Sequence, residues 1–148
     1  MSRRTPIILV LMSGVLLFLD RWWKWKAINA VGFPLTDRVI AWEPFLNKGI
    51  AFGIELPVPL IVIVTLGIVA AVLYLVYYHV KISPQSARSS VYYGLTLIIT
   101  GAVSNLVDRV YYGSTIDYLK IYLSVVNLAD CCIVVGFFIY FTSLKHLK

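Results

Sequence analysis

Charge is scarce in this chain. Of its 148 residues only 14% are Asp, Glu, Lys or Arg, where about 25% is usual in a soluble domain. Hydrophobic residues make up 60%, against roughly 45–50%. Too little polar side chain remains to cover a soluble globule, and the same balance excludes disorder, collagen and coiled coil. The only cysteines, Cys131 and Cys132, are adjacent in an apolar run. They form no disulfide framework and no CxxC metal site, and read as small apolar helix residues. The only histidines are His79 and His146, no HExxH occurs, and Ser104 has no lysine or histidine at its level. Zinc hydrolysis and Ser-His catalysis therefore lack their residues. Repeats and low-complexity segments are absent too. What remains is a polytopic membrane protein, with length for one domain.

Acids are the rarer sign, 7 against 13 Lys plus Arg. The bases flank apolar runs, where they orient helices in a bilayer, and no groove-reading motif points to nucleic acid. Four segments approach the about 20 apolar residues that a membrane helix needs: 6–25, 57–80, 91–107 and 121–144. The first resembles a signal peptide, but no A-x-A site follows it and its end carries Trp22, Trp23 and Trp25. It is read as a retained helix with an interfacial aromatic belt. The short loops 1–5, 81–90 and 145–148 hold Arg3, Arg4, Lys81, Arg88, Lys145 and Lys148 and no acid, which predicts both termini in the cytoplasm. The expected fold is an all-α membrane protein of four transmembrane helices in one domain, 1–148. The outer loop between helices 1 and 2, residues 26–56, is expected to be β-rich, with strands at Val39–Trp42 and Ile50–Ile54.

On this topology every Asp and Glu falls on the outer side. An ionisable group inside a span costs about 2.5–3.5 kcal/mol on insertion scales and marks function; Asp130, with Asn127 one turn earlier, is the clearest case. Asn105 and Asp108 repeat that spacing at the end of the third span, and residues three apart share a helix face. Asp20 and Asp117, the latter expected in a short loop, lie near the same level. Several carboxylates without other chemistry suit hydrolysis by a pair sharing one proton. Spacing leaves open which two of the four form it. The competing readings are a small proton-coupled transporter or channel subunit, with Asp130 and Asp108 as relay, and a non-catalytic scaffold.

Four ordered motifs resemble the lipoprotein signal peptidase (signal peptidase II) family. Asp20-Arg21-Trp22-Trp23-Lys24 resembles its D-x-x-x-K, and Asn47-Lys48-Gly49-Ile50-Ala51-Phe52-Gly53 its N-x-G-x-A-F-G. Gly101 to Arg109, with Gly113 and Ile116-Asp117-Tyr118, is similar to G-x-x-x-N-L-x-D-R…G…V-D-F, and Asn127-Leu128-Ala129-Asp130 to N-x-A-D. The Asp117–Asp130 interval is shorter than in the family pattern, and Ile116, Tyr118 and Val126 replace its commoner Val, Phe and Phe. The resemblance implies an intramembrane aspartic endopeptidase of the bacterial cytoplasmic (inner) membrane, with its site near the outer face. It would remove the signal peptide of a diacylglyceryl-modified prolipoprotein, cutting before the lipidated cysteine. Asp117 and Asp130 would be catalytic. Asn105, Asp108, Arg109 and Asn127 would order them and hold substrate, Asp20 and Lys24 would belong to the same polar zone, and Asn47, Gly49, Phe52 and Gly53 would clamp the peptide. Membrane lipid is an implied partner; no metal, organic cofactor, nucleic acid or obligate protein partner is implied.

Overall fold

The structure is a computed structural model and describes residues 4–29, 33–34, 40–50, 54–82 and 89–145. The elements are α1 (Thr5–Ile28), β1 (Phe33–Pro34), β2 (Ile40–Asn47), α2 (Val58–Tyr77) with a π-helical turn at Tyr78–Ile82, α3 (Ser89–Tyr112), β3 (Thr115–Ile121), β4 (Ser124–Val126) and α4 (Leu128–Lys145). Three helices, Thr5–Ile28, Val58–Ile82 and Ser89–Tyr112, are long and apolar enough to cross a membrane, and α4 is a shorter apolar helix. Exposed Ile7, Val10, Leu11, Phe18, Ile63, Val64, Val134 and Phe138 suit lipid rather than water.

α3 is the central helix: 56% of its apolar stretch is buried, against 11% in α1 and 17% in α2. Its glycines allow this. A Cβ on Gly94 would stand 2.7 Å from the Tyr140 backbone nitrogen, and one on Gly136 would stand 2.6 Å from the Gly94 carbonyl oxygen. Small residues thus bring the α3 and α4 backbones together. Val72, Val91, Leu95 and Ile98 fill the core beside them, with Tyr140 packed against it.

A four-stranded antiparallel sheet, β1-β2-β3-β4, caps this bundle. It corrects the expected loop in several ways. Only β1 and β2 come from the first connection; β3 and β4 come from the second. The fourth helix begins at Leu128, not residue 121, because Ile121 to Val126 complete a hairpin with Ile121 opposite Ser124. The third helix runs on to Tyr112, where Gly113 at φ +68° ends it and donates its N–H to the Arg109 carbonyl, a left-handed cap that glycine adopts readily. The first helix continues to Ile28. Of the two anticipated strands, the first is realised as the longer β2, with Val39 outside the described residues. Ile50 and Ile54 are joined by a backbone hydrogen bond of 2.9 Å but lie in no strand.

β2 and β3 fix the depth of Asp117. Their register slips between Trp42 and Phe45, where Pro44 cannot donate to a ladder. Beyond the bulge Phe45 faces Asp117 and Asn47 faces Thr115, so Asn47 and Asp117 share one face of the sheet. On the other face, buried Ile116 and Tyr118 pack with Ala27 and Trp42, and Trp42 lies 4.9 Å from the Tyr118 ring and 5.4 Å from that of Trp23. The sheet is thereby anchored to the aromatic end of α1.

Candidate active site

The end of α1 places Asp20, Arg21 and Lys24 beside the last turns of α3. Lys24 is 1% exposed, and its ammonium reaches Asp20 at 2.8 Å, Asp108 at 2.7 Å and Asn105 Oδ1 at 2.9 Å. All three of its donors are used. Arg21 spans the same ground: Nη1 donates to Asp108 at 2.6 Å, and Nη2 to Asp20 at 3.2 Å, Ser104 Oγ at 2.7 Å and the Ser104 carbonyl at 3.1 Å. Asp20 and Asp108, at 2% and 0% exposure, are thus each paired with two cations. A buried charge is tolerable only on such terms. Asp108 also accepts the Ile116 N–H at 3.3 Å. It pairs across helices and makes no ion pair with its neighbour Arg109.

The start of α4 carries the next layer. Asn127 Oδ1 accepts the Asp130 N–H at 2.8 Å, while Asp130 Oδ2 accepts the Asn127 N–H at 3.1 Å. This reciprocal pair is a capping box. The remaining first-turn donors are also met: Leu128 N–H by the Tyr118 hydroxyl at 3.0 Å, Ala129 N–H by Asp20 Oδ1 at 3.2 Å and Cys131 N–H by the Asn127 carbonyl at 3.3 Å. Asp130 is therefore a first-turn residue at a helix N-terminus, where negative charge is favoured, and not a charge deep within a span.

Asn127 is the junction of the site. Its amide donates to Asp117 Oδ1 at 2.6 Å and to Asn105 Oδ1 at 3.1 Å. Asn105 in turn donates to Asp130 Oδ1 at 2.8 Å, and Asn47 donates to Asp117 Oδ2 at 3.0 Å. Asp117 lies in β3, not in a loop. Burial, then the charge of Asp130, pushes its carboxyl up to about 6, against the pull of the Asn47 and Asn127 hydrogen bonds and of Lys24. Two carboxylates in one electrostatic field, each held by carboxamide donors, can share a proton. Gly49 donates its N–H to Asn47 Oδ1 at 2.9 Å and leaves no room for a Cβ beneath the Ile54 carbonyl. Arg109 reaches the Gly49 carbonyl at a long 3.5 Å, and its Nε has no partner among the described residues.

The structure thus brings together Asp20, Lys24, Asn47, Gly49, Asn105, Asp108, Arg109, Asp117, Asn127 and Asp130. Phe52 and Gly53 lie outside the described residues. Three further residues belong to the network without having been singled out for it: Arg21, Ser104 and Tyr118. Arg21 and Lys24 share a helix face at i,i+3, which is the one sequence signal for the arginine. Ser104, expected to lie away from any lysine, joins the lysine's network because its hydroxyl donates to Asp20. That hydroxyl, bonded to Asp20 and Arg21, is a structural ligand.

Helices long and apolar enough to cross a membrane, with polar residues gathered in one carboxylate and carboxamide network beneath a small sheet, define the class: a helical membrane protein with a buried polar site. The chain belongs to the signal peptidase (SPase) II family, whose pattern matches residues 12–145. Among curated relatives, the lipoprotein signal peptidase of Halalkalibacterium halodurans is 30% identical over 148 residues, covering 93% of this chain and 92% of that one. That of Clostridium novyi is 30% identical over 138 residues, covering 87% and 90%. Two solved bacterial membrane enzymes share the fold, with TM-scores of 0.80 and 0.77 at 20% and 21% identity. The first covers 94% of this chain and 88% of its own, the second 93% and 92%.

Proposed function

We propose that the chain is an intramembrane aspartic endopeptidase that removes the signal peptide from diacylglyceryl-modified prolipoproteins, cutting before the lipidated cysteine. Family membership supports a peptidase acting on lipoprotein signal peptides. The observation that carries the aspartic mechanism is Asn127, which bonds Asp117 through its side chain and Asp130 through its backbone.

In this mechanism Asp117, with its raised carboxyl, holds the shared proton. Asp130, in the first turn of α4, is the ionised partner. Asp130 takes a proton from water as the hydroxide adds to the scissile carbonyl carbon, and Asp117 donates its proton to the carbonyl oxygen. The resulting hydrated amide collapses as Asp130 returns its proton to the amide nitrogen. The C–N bond breaks, giving a new carboxyl and a new amine, and Asp117 regains its proton from the gem-diol. Arg109 and the Asn47–Gly49 turn border the pair and would hold the peptide backbone. α4 serves as a fourth span, both termini lie in the cytoplasm, and the site lies at the outer face, where a lipid-anchored peptide presents its bond at interfacial depth.

The test is cleavage of a diacylglyceryl-modified prolipoprotein by wild type, Asp117→Asn and Asp130→Asn, each checked for folding. Wild type cuts and the two folded variants lose at least about 1000-fold, some 4 kcal/mol of barrier. Undiminished cutting by Asp117→Asn would move the role to Asp108, and an inactive wild type would end the proposal.

A further inference from the structure

The polar zone has a charge count that the dyad alone does not explain. Among the described residues it holds four carboxylates: Asp20 from α1, Asp108 from α3, Asp117 from β3 and Asp130 from α4. It holds three cations, Arg21 and Lys24 from α1 and Arg109 from α3, the last within electrostatic range of Asp130, Asp117 and Asp108. Four negative and three positive charges are neutral when one carboxyl is protonated, the state a shared-proton dyad requires. The sheet does not alter this balance, since Glu43 and Lys120 pair with each other at 2.6 Å, and Lys48 and Glu55 contribute one charge of each sign.

Arg21 differs from the other two cations. Lys24 reaches Asn105, which bonds Asp130, and Arg109 borders the dyad. Arg21 touches Asp20, Asp108 and Ser104, and neither Asp117 nor Asp130. It nevertheless spends four hydrogen bonds there, at 2.6 to 3.2 Å, with its side chain only 34% exposed. We propose that Arg21 is a positioning residue for the reaction: by offsetting the negative charges of Asp20 and Asp108, which it bonds at 3.2 and 2.6 Å, it keeps their field from drawing a second proton onto the dyad at the working pH. This rests on the aspartic reading of the site. Without the guanidinium, the same four carboxylates face two cations, and neutrality calls for a second proton. The dyad then loses its ionised member at a pH where wild type still has it.

The experiment is the pH dependence of kcat/KM for a diacylglyceryl-modified prolipoprotein, with wild type, Arg21→Gln and Arg21→Lys in the same bilayer and folding checked for each. Removing one positive charge moves the acidic limb of Arg21→Gln upward by about one pH unit. Its activity therefore falls about tenfold on that limb and returns as the pH is raised, while Arg21→Lys keeps the wild-type limb. A uniform loss with an unmoved limb would make Arg21 merely structural and overturn the proposal. Should Arg21→Gln not fold, Arg21→Gln/Asp20→Asn decides. It removes one charge of each sign, so its limb stays at the wild-type position; an upward shift there overturns the proposal equally. An inactive wild type, or active folded Asp117→Asn and Asp130→Asn, would instead count against the aspartic reading itself.

Discussion

Asn127 and Asp130 cap the same helix reciprocally, each side chain accepting the other's backbone N–H, at 2.8 and 3.1 Å. The carboxylate proposed as the base is thereby also the N3 residue of a capping box. The proposed catalytic placement and helix initiation share one set of atoms.

Asn127 has two jobs that substitution can separate. Serine keeps a capping oxygen but cannot reach Asp117 and Asn105. Asn127→Ser is expected to unfold within about 0.5 kcal/mol of an otherwise equal capped protein plus its lost side-chain bonds, roughly 1–2 kcal/mol in all, and to lose about 100-fold in cleavage. Asn127→Ala loses the cap as well, about 1 kcal/mol more. Thermal unfolding and cleavage measured on both variants check this; equal stability of the two would show that the cap contributes nothing.

Lys24 is the buried partner of two acids. Lys24→Met leaves Asp20 and Asp108 underpaired and is expected to cost about 3–5 kcal/mol. Lys24→Met/Asp20→Asn removes a charge of each sign and should recover part of that loss. Denaturant unfolding of the two variants decides, and a double variant no more stable than the single one would refute pairing as the cause.

Asp117 makes stability depend on pH. Its folded-state carboxyl is raised from 3.8 to about 6, so the folded state binds the proton more tightly than the unfolded chain. The associated stability is fully present below about pH 3.8 and is lost as the pH rises through about 6, a change of about 3 kcal/mol. Asp117→Asn cannot titrate. The stability of wild type relative to this variant should therefore fall between pH 4 and 7; parallel stability curves would contradict the burial argument.

Glycines divide by location. Gly136→Ala puts a methyl against the Gly94 carbonyl at 2.6 Å and is expected to cost about 1–3 kcal/mol. A Cβ on Gly14 or Gly67 would meet nothing within 4 Å among the described residues, and alanine at either should be neutral or stabilise by up to about 1 kcal/mol. Unfolding of the three variants in one detergent compares them directly.

Much of this was legible from residue order. The apolar runs gave the three helices long and apolar enough to cross a membrane, because few residue patterns other than a span need so long a nearly uncharged stretch. The Asn-x-x-Asp pairs were legible because helix geometry sets three residues apart on one face. The hairpin at 115–126 was not. Ile121, Tyr122, Leu123, Val125 and Val126 are apolar and suit a strand or a helix equally, so periodicity could not place the boundary. The cap at Asn127 was the decisive signal, and the preceding apolar residues obscured it.

The sequence by itself determined the class of protein, the helical spans in outline and the level at which the acids gather, since hydrophobicity and helical spacing are local properties. Only the tertiary structure decided that Asp117 rides on a strand, that Asn127 joins it to Asp130, and that Arg21 and Lys24 hold Asp20 and Asp108 in one network. Those contacts join residues up to 87 positions apart. The free energy of a buried charge depends on which partners the fold delivers to it, and that is set by how helices and sheet pack together.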